Sequence, residues 1–280
     1  MILIDMNQIA VANLMMNLKM NKNKTIDENM VRHMILNSIR MYRTEHRNEY
    51  GEVVLTWDSK HSWRRDYFPE YKASRRKGRE ESNLDWDDIF ATLNKIRNEI
   101  KENFPYKYLE VFGAEADDII GFLCQEHRDE KIMIISGDKD FIQLQKYANV
   151  TQWSPITKKQ VNGFDPTIYL KEHILKGDTS DGVPNVLSPD NTFIDGLRQR
   201  PLTRKKIQSW LVGGGSDWND EVKRNFQRNS TLIDLSKTPE ELKNQIRLEY
   251  NNAPHGDRSK LLNYFMKNKL KELTENIGEF

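Results

Sequence analysis

The sequence predicts an α/β fold: a mostly parallel central sheet flanked by helices, with a smaller C-terminal helical region. Three observations carry this. Short apolar runs such as Ile132, Met133, Ile134 and Ile135 have the length and composition of strands buried on both faces of a parallel sheet. These runs alternate with longer helical segments, the pattern of βαβ units. From about Asp165 the strand signals stop and only helical patterns follow.

In order, MILID reads as a first strand and Ile9 to Met16 as an apolar helical segment. Asn21, Asn23 and the neighbouring lysines read as an exposed loop. Thr25 followed by Glu28 has capping-box spacing. It opens a helix through about Met41, with Met30, Met34, Leu36 and Ile39 as core contacts. EVVLTWD is the next strand. HSWRRDYFPEYKASRRKGREES is broken by Pro69 and Gly78 and keeps no clean period, which predicts a flexible or arching connection over about 60–83. Leu84 to Phe104 is a helix, with Trp86, Ile89, Phe90, Leu93, Ile96 and Ile100 near 3.6-residue spacing. Tyr106 to Phe112 alternates like a strand, Glu115 to His127 is helical, Phe141 to Tyr147 a short helix, and Val150 to Trp153 a further strand, for four or five in all. Helices follow over 166–176, 203–212, 217–229, 238–250 and 257–275, so the chain divides into 1–165 and 166–280.

Carboxylates gather where these elements end. Three strand-like runs finish in Asp5, in Asp58, and in the pair Asp138 and Asp140 after Ser136 and Gly137. Glu115, Asp117 and Asp118 crowd the start of one helix, and KGDTSDGVP adds Asp178 and Asp181. Acids in a helix's first turn suit the macrodipole, and Asp is common in turns, but neither fact explains three strand ends. Ligands of open α/β sheets bind beyond the carboxyl ends of the strands. Carboxylates meeting there repel unless a hard cation lies between them. Asp117 and Asp118 cannot both point the same way on a helix, so one serves the site and the other orients or caps.

The net charge of +1 conceals a segregation. Lys60, Arg64, Arg65, Lys72, Arg75, Arg76, Lys77 and Arg79 fall in one stretch against only Asp66 and Glu70. Basic surface beside an acidic pocket points to a polyanion handled through metal. Trp63, Tyr67, Phe68 and Tyr71, interleaved with these bases, suit stacking on nucleobases or pinning of the loop. The single Cys124 excludes an internal disulfide and reads as buried and inert. No signal peptide and no membrane-length apolar window is expected, which predicts a soluble, intracellular protein. His33, His46, His61, His127, His173 and His255 lie in unrelated contexts and are read as surface or core residues. Acids without Cys or paired His favour magnesium or manganese over zinc. No phosphate-binding GxxxxGK[ST] loop or dinucleotide fingerprint is present, so ATPase and dehydrogenase functions are excluded. Two metal ions acting on a phosphodiester, with DNA or RNA as substrate, remain.

At this point LIDMNQIA, TWD, WRRDYFPEYKASR, EADD, ISGDKDFIQL, QWSP, LKGDTSDGVP and NIGEF resemble, in order, the flap-endonuclease family of structure-specific 5′ nucleases, nearest to the ribonuclease H branch of T-even phages. The resemblance implies a PIN-like 5′-nuclease core. It implies that Asp5, Asp58, Asp117 and Asp138 bind one metal, with Glu115 and Asp118 close by, and that Asp140, Asp178 and Asp181 serve a second. Two magnesium ions, replaceable by manganese, are thereby expected. Lys72 and Arg75 would steer the scissile phosphate with help from Arg64. Arg65, Tyr71, Arg76, Lys77, Arg79, Lys176 and Gly177 would contact nucleic acid, the last two opening a helix–hairpin–helix-like element. The implied activity is 5′ to 3′ exonuclease and flap cleavage on RNA–DNA and DNA–DNA duplexes, removing lagging-strand primers. Branched or nicked DNA and RNA–DNA duplex are the implied partners, with a single-stranded-DNA-binding protein by analogy, acting on a cytoplasmic monomer. VPNVLSPDNTFIDGLRQRP departs from the family's Gly-rich hairpin. The alternatives are a non-catalytic branched-DNA-binding accessory and a PIN-like single-strand RNase.

Overall fold

A computed structural model describes residues 1–21 and 25–280. Six strands form one sheet: β1 (Ile2–Asp5), β2 (Val53–Thr56), β3 (Lys107–Leu109), β4 (Ile132–Ile135), β5 (Val150–Ser154) and β6 (Lys159–Gln160). Their order is β3-β2-β1-β4-β5-β6, parallel except for the antiparallel edge strand β6. The first half of the chain supplies the helices α1 (Met6–Met20), α2 (Glu28–Tyr50), α3 (Trp63–Tyr67), α4 (Ser74–Glu80), α5 (Trp86–Asn103) and α6 (Ala116–Glu126). A 3₁₀ helix at Lys139–Lys146 follows β4. Beyond the sheet come α7 (Pro166–Lys176), α8 (Arg204–Gly213), α9 (Asp220–Ile233), α10 (Glu240–Asn252), α11 (Leu261–Lys267) and α12 (Lys271–Glu275).

Alternating side chains along buried strands build two cores. Ile2, Ile4, Val53, Leu55, Met133 and Ile135 face α1, α2 and α5, joined by Phe265, Leu273 and Phe280 from the C-terminal end. Leu3, Val54, Ile132 and Ile134 face α6 and Ile246 of α10. Asp5 has the parity of Leu3, so the last side chain of β1 leans toward the α6 layer. The strand order reverses between β1 and β4, and that switch point is where a sheet of this order opens a crevice.

The expected α/β architecture is present, with several differences of detail. β6, two residues in a hairpin return, is too short to show alternation in the sequence. α2 is capped by Asp27, whose side chain accepts from Met30 N at 3.0 Å, not by Thr25, and it runs on to Tyr50. Burial of Tyr42 and Arg43 carries it past Met41, while Met30 stands exposed. Of the expected loop, Lys22, Asn23 and Lys24 lie outside the described residues. The helix read over 257–275 is two helices, separated at Lys269, which takes φ 55. The 60–83 connection is folded into α3 and α4, because Phe68 and Tyr71 pack with Ile174, Val183, Leu232 and Ile233. Cys124 is buried, and burial pushes its thiol up. Among the described residues no helix is long and apolar enough to cross a membrane.

Phe265 is fully buried against the rings of Phe104 and Phe280, at centroid distances of 5.9 and 5.1 Å. Phe265→Ala is expected to lower the unfolding free energy by about 3–5 kcal/mol, read from the urea midpoint at unchanged slope.

Candidate metal centre and nucleic-acid interface

The loop after β4 is braced from three sides. Gln152 of β5 donates to the carbonyls of Ser136 (3.0 Å) and Asp138 (2.6 Å), and Gly137 N donates to Gln8 Oε1 at 2.6 Å. A Cβ on Gly137 would lie 3.0 Å from Ser154 Oγ, so a larger residue would shift the loop. Ser136 Oγ donates to Asp5 Oδ2 at 3.0 Å, joining the two strand ends at the switch point. Asp138 caps the following 3₁₀ helix by accepting from Asp140 N at 2.9 Å. Asp58, two residues past β2, accepts from Ala116 N at 2.8 Å and is thereby tied to the start of α6.

The adjacent acids of α6 have separate duties. Asp118 is fully buried, and both of its oxygens are occupied. They accept from Glu115 N (2.9 Å), Arg64 Nη1 (2.8 Å), Thr238 Oγ1 (2.7 Å) and Trp63 Nε1 (3.2 Å). Contrary to the expectation from the sequence, Asp118 therefore does not ligate metal but holds Arg64, Thr238 and the start of α6 together, its lone pairs all engaged by donors. Asp117 faces the hollow beside Asp138, Asp5 and Asp58.

The folded arch descends onto this hollow. Lys72 has φ 57, a left-handed conformation rare for a residue with a Cβ. Its N–H donates to the Asp181 carbonyl at 2.7 Å, and its Nζ lies 2.6 Å from Glu115 Oε1 and 3.6 Å from Asp181 Oδ2. Arg75 Nη2 donates to Asp181 Oδ1 at 2.6 Å. Arg64 is buried, donating to Leu232 O (2.8 Å), Glu115 (3.1 Å) and Asp118. It organises acids in the interior and is withdrawn from direct phosphate steering. Tyr71, expected on nucleic acid, is also buried, with its hydroxyl 2.8 Å from both Glu115 Oε2 and Asp181 Oδ2. A phenol has one proton to donate, so the second of these contacts calls for another proton or a cation.

Arg65, Arg76 and Lys77 are exposed and Arg79 half-buried, with Arg76 and Lys77 meeting only Glu80 and Glu81 one turn away. Exposed Lys176 pairs with Glu172. Gly177 takes φ 67, and a Cβ there would fall 2.3 Å from Val183 O and 2.5 Å from Pro184 O, so only glycine fits. The turn beyond it is closed by Asp178 N to Val183 O (2.8 Å) and Val183 N to Asp178 O (2.7 Å). His173, read from the sequence as a surface or core residue, lies between acids instead: Nδ1 is 3.3 Å from Asp140 Oδ1 and Nε2 is 3.4 Å from Asp178 Oδ2. Among the described residues, Asp140, His173 and Asp178 form the one triplet whose donor atoms fall within 4.8 Å of each other. Asp117 and Asp138 line the hollows beside this triplet, and Asp5 and Asp58 lie within electrostatic range of Asp117.

The electrostatics record unbalanced negative charge. Burial, then the neighbouring Asp58, pushes Asp5 up to about 7. Burial, then Asp138, pushes Asp140 up to about 7. Burial together with Asp138 and Asp5 raises Asp117 well above the carboxylate range, and burial with the charge of Glu115 raises Asp58. Where a cation is at hand the sign reverses. Burial opposes the ionisation of Glu115, yet Lys72 and Arg64 hold it at about 2. Hydrogen bonds from His173 and Ser180 hold Asp178 low against the same opposition. An oxygen-rich hollow whose acids cannot all ionise unaided fits divalent cations.

The switch-point crevice, the converging carboxylates and the basic arch above them are the arrangement of a 5′-3′ exonuclease. Residues 1–173 match the family described as 5′-3′ exonuclease, N-terminal resolvase-like domain, and residues 165–280 match T4 RNase H, C terminal. The chain belongs to the 5′-3′ exonuclease family. Within it, the chain is 36% identical over 296 residues to the Ribonuclease H of Enterobacteria phage T4, covering 99% of this chain and 95% of that protein. It is 29% identical over 161 residues to a 5′-3′ exonuclease of Buchnera aphidicola, covering 54% of this chain and 53% of that one. The bacteriophage T5 flap endonuclease, solved in complex with DNA and metal ions, superposes with a TM-score of 0.63 at 15% identity, over 89% of this chain and 97% of that chain.

Asp118→Asn is expected to destabilise the chain by roughly 1–3 kcal/mol, because it removes one of the two carboxylates that buried Arg64 meets and turns an acceptor oxygen into a donor among fixed donors. Asp117→Asn removes a buried carboxyl for which burial and the repulsion of Asp138 and Asp5 outweigh the attraction of Lys72, and should raise the melting temperature of metal-free protein at pH 7. Between about pH 4 and 7 the folded chain retains protons on Asp5 and Asp140 that the unfolded chain has released. Their contribution to stability is thus intact below the unfolded pKa and lost as pH rises through the folded one. Calorimetry in chelator should show the melting temperature falling over this window, with added divalent ion restoring more at its upper end than at its lower.

Proposed function

We propose that the chain is a divalent-metal-dependent 5′ to 3′ exonuclease and flap endonuclease. It hydrolyses phosphodiesters in RNA–DNA and DNA–DNA duplexes and removes RNA primers during lagging-strand replication. The observation that carries this reading is the gathering of Asp117, Asp138, Asp140, Asp178 and Asp181 around adjoining hollows, with Asp5 and Asp58 at electrostatic range and Lys72 and Arg75 paired to Asp181 beside them. Asp5, Asp58, Asp117 and Asp138 hold one ion, with Glu115 behind them, and Asp140, Asp178 and Asp181 serve a second. The ions are magnesium, with manganese able to substitute. When bound, they supply the Lewis acidity for water's attack on phosphorus and for the departing oxygen.

The chain's own groups do the positioning. Lys72 and Arg75 are already paired with carboxylates, so they exchange one anion for another when a phosphate arrives, and the largely buried Lys72 needs little further desolvation. Asp118 and Arg64 keep Glu115 and the base of the arch in place. Arg65, Arg76, Lys77 and Arg79 project from the arch toward the backbone of the substrate. Lys176 and the tight turn at Gly177 hold the duplex behind the cut. Residues 1–165 carry the catalytic core and 166–280 the duplex grip, with Asp178 and Asp181 reaching back from the second segment to the metal centre, in a monomer working in the cytoplasm beside a single-stranded-DNA-binding protein of the replisome.

A labelled flap substrate tests the reading. Wild-type protein is expected to release product only with magnesium or manganese, and metal-independent or absent cleavage would remove it. Asp138→Asn should slow single-turnover cleavage about a thousandfold, a loss of roughly 4 kcal/mol, with flap affinity largely unchanged. Lys72→Ala should slow that step more than it weakens binding, and the reverse pattern would reduce Lys72 to a general phosphate contact.

A further inference from the structure

His173 bears on which ion the second position takes. It projects from α7 next to Ile174 and Leu175, whose burial fixes the helix face. Tyr169, one turn earlier, packs edge-on against its ring at 5.9 Å between centroids. The imidazole stands in an open cleft of about 380 Å³ that Asp138, Asp140 and Asp178 also line.

The turn at Asp178 leaves a cation little choice of approach. Asp178 Oδ1 is taken by Ser180 N (2.7 Å), Ser180 Oγ (2.6 Å) and Asp181 N (3.2 Å). The remaining oxygen, Oδ2, is the one 3.4 Å from His173 Nε2. An ion that uses Asp178 therefore meets the imidazole at the same place. On the other side, His173 Nδ1 stands 3.3 Å from Asp140 Oδ1. Two donor atoms at this separation, each about 2.1 Å from an ion, subtend an angle of about 105°, between octahedral and tetrahedral values. One ring nitrogen can bind while the other hydrogen-bonds to the carboxylate on its far side, which fixes tautomer and orientation. Magnesium prefers oxygen and gives up water reluctantly, whereas first-row transition ions accept imidazole readily.

We propose that His173 ligates the metal at the second position through Nε2 beside Asp178, with Nδ1 held by Asp140, and that it biases this position toward a first-row transition ion over magnesium. The inference rests on the nuclease reading for the existence of the position, and on the placement of His173 alone for the bias.

The test uses the full chain stripped of metal, loaded with one and then two equivalents of Mn²⁺, without DNA. Pulsed electron paramagnetic resonance should show nitrogen modulation from a directly bound imidazole, and His173→Gln should abolish it. The same substitution should weaken Mn²⁺ binding about 10- to 100-fold, while Mg²⁺ affinity, measured by displacement of Mn²⁺, moves far less. Absence of nitrogen modulation in wild-type protein at two equivalents, its persistence in His173→Gln, or equal weakening for both ions would overturn the proposal. The wild-type spectrum needs no variant, so a His173→Gln chain that misfolds leaves the test intact. Flap cleavage in magnesium without nitrogen modulation rejects the histidine ligand alone. Modulation without cleavage rejects the nuclease reading alone.

Discussion

Mutual repulsion among half-buried carboxylates is the constraint on which this structure turns. β1 and β4 are neighbours, so Asp5 and the Asp138 loop must end side by side. α6 then brings Asp117 against them, and the Asp178 turn closes the ring. Each placement costs free energy by itself, because a desolvated carboxylate beside another resists ionisation. The fold tolerates the cost through cations drawn from elsewhere. Lys72 and Arg75 come from the arch, Arg64 comes from beneath it, and the positive end of α6 adds its dipole. The arch is held both by the packing of Phe68 and Tyr71 and by the ion pairs of Lys72 and Arg75 with the acids it covers.

Adjacent residues divide the labour. Asp118 is saturated with donors and behaves as a rivet between arch, α6 and Thr238, whereas Asp117 has no such partners and faces the crowd. Glu115 lies between these extremes, ionised because Lys72 and Arg64 flank it. A carboxylate with full hydrogen bonding is part of the scaffold. One driven up by its neighbours is available to a cation.

The outline of this arrangement was legible in the sequence, and its partnerships were not. Strand ends in Asp, the helix over 166–176 and the acidic start of α6 follow from composition and period. Which oxygen meets which donor depends on contacts between residues far apart in the chain. Asp118 and Asp117 look alike in EADD, and only the approach of Arg64 and Thr238 separates them. Tyr71 looked like a stacking residue because it sits among bases, but packing against Ile174 and Val183 turned it inward. His173 resembled any other helical histidine until the turn at Gly177 folded Asp178 back beside it. Gln152, Gln8 and Ser136, which hold the Asp138 loop, carry no local signature, since a buried amide or hydroxyl becomes informative only once its partners are known.

The bond from Arg64 to the carbonyl of Leu232 has a bearing on how the molecule could be taken apart. It crosses from the arch to the end of α9, and Asp118 reaches Thr238 along the same line. A fragment cut after residue 173 would cost the Arg64 guanidinium one acceptor, Leu232 O, and the Asp118 carboxylate one donor, Thr238 Oγ1, at the spot where Glu115 is aimed. The two halves are therefore sutured through the reaction centre itself, and limited proteolysis between them should yield pieces that survive only by staying together.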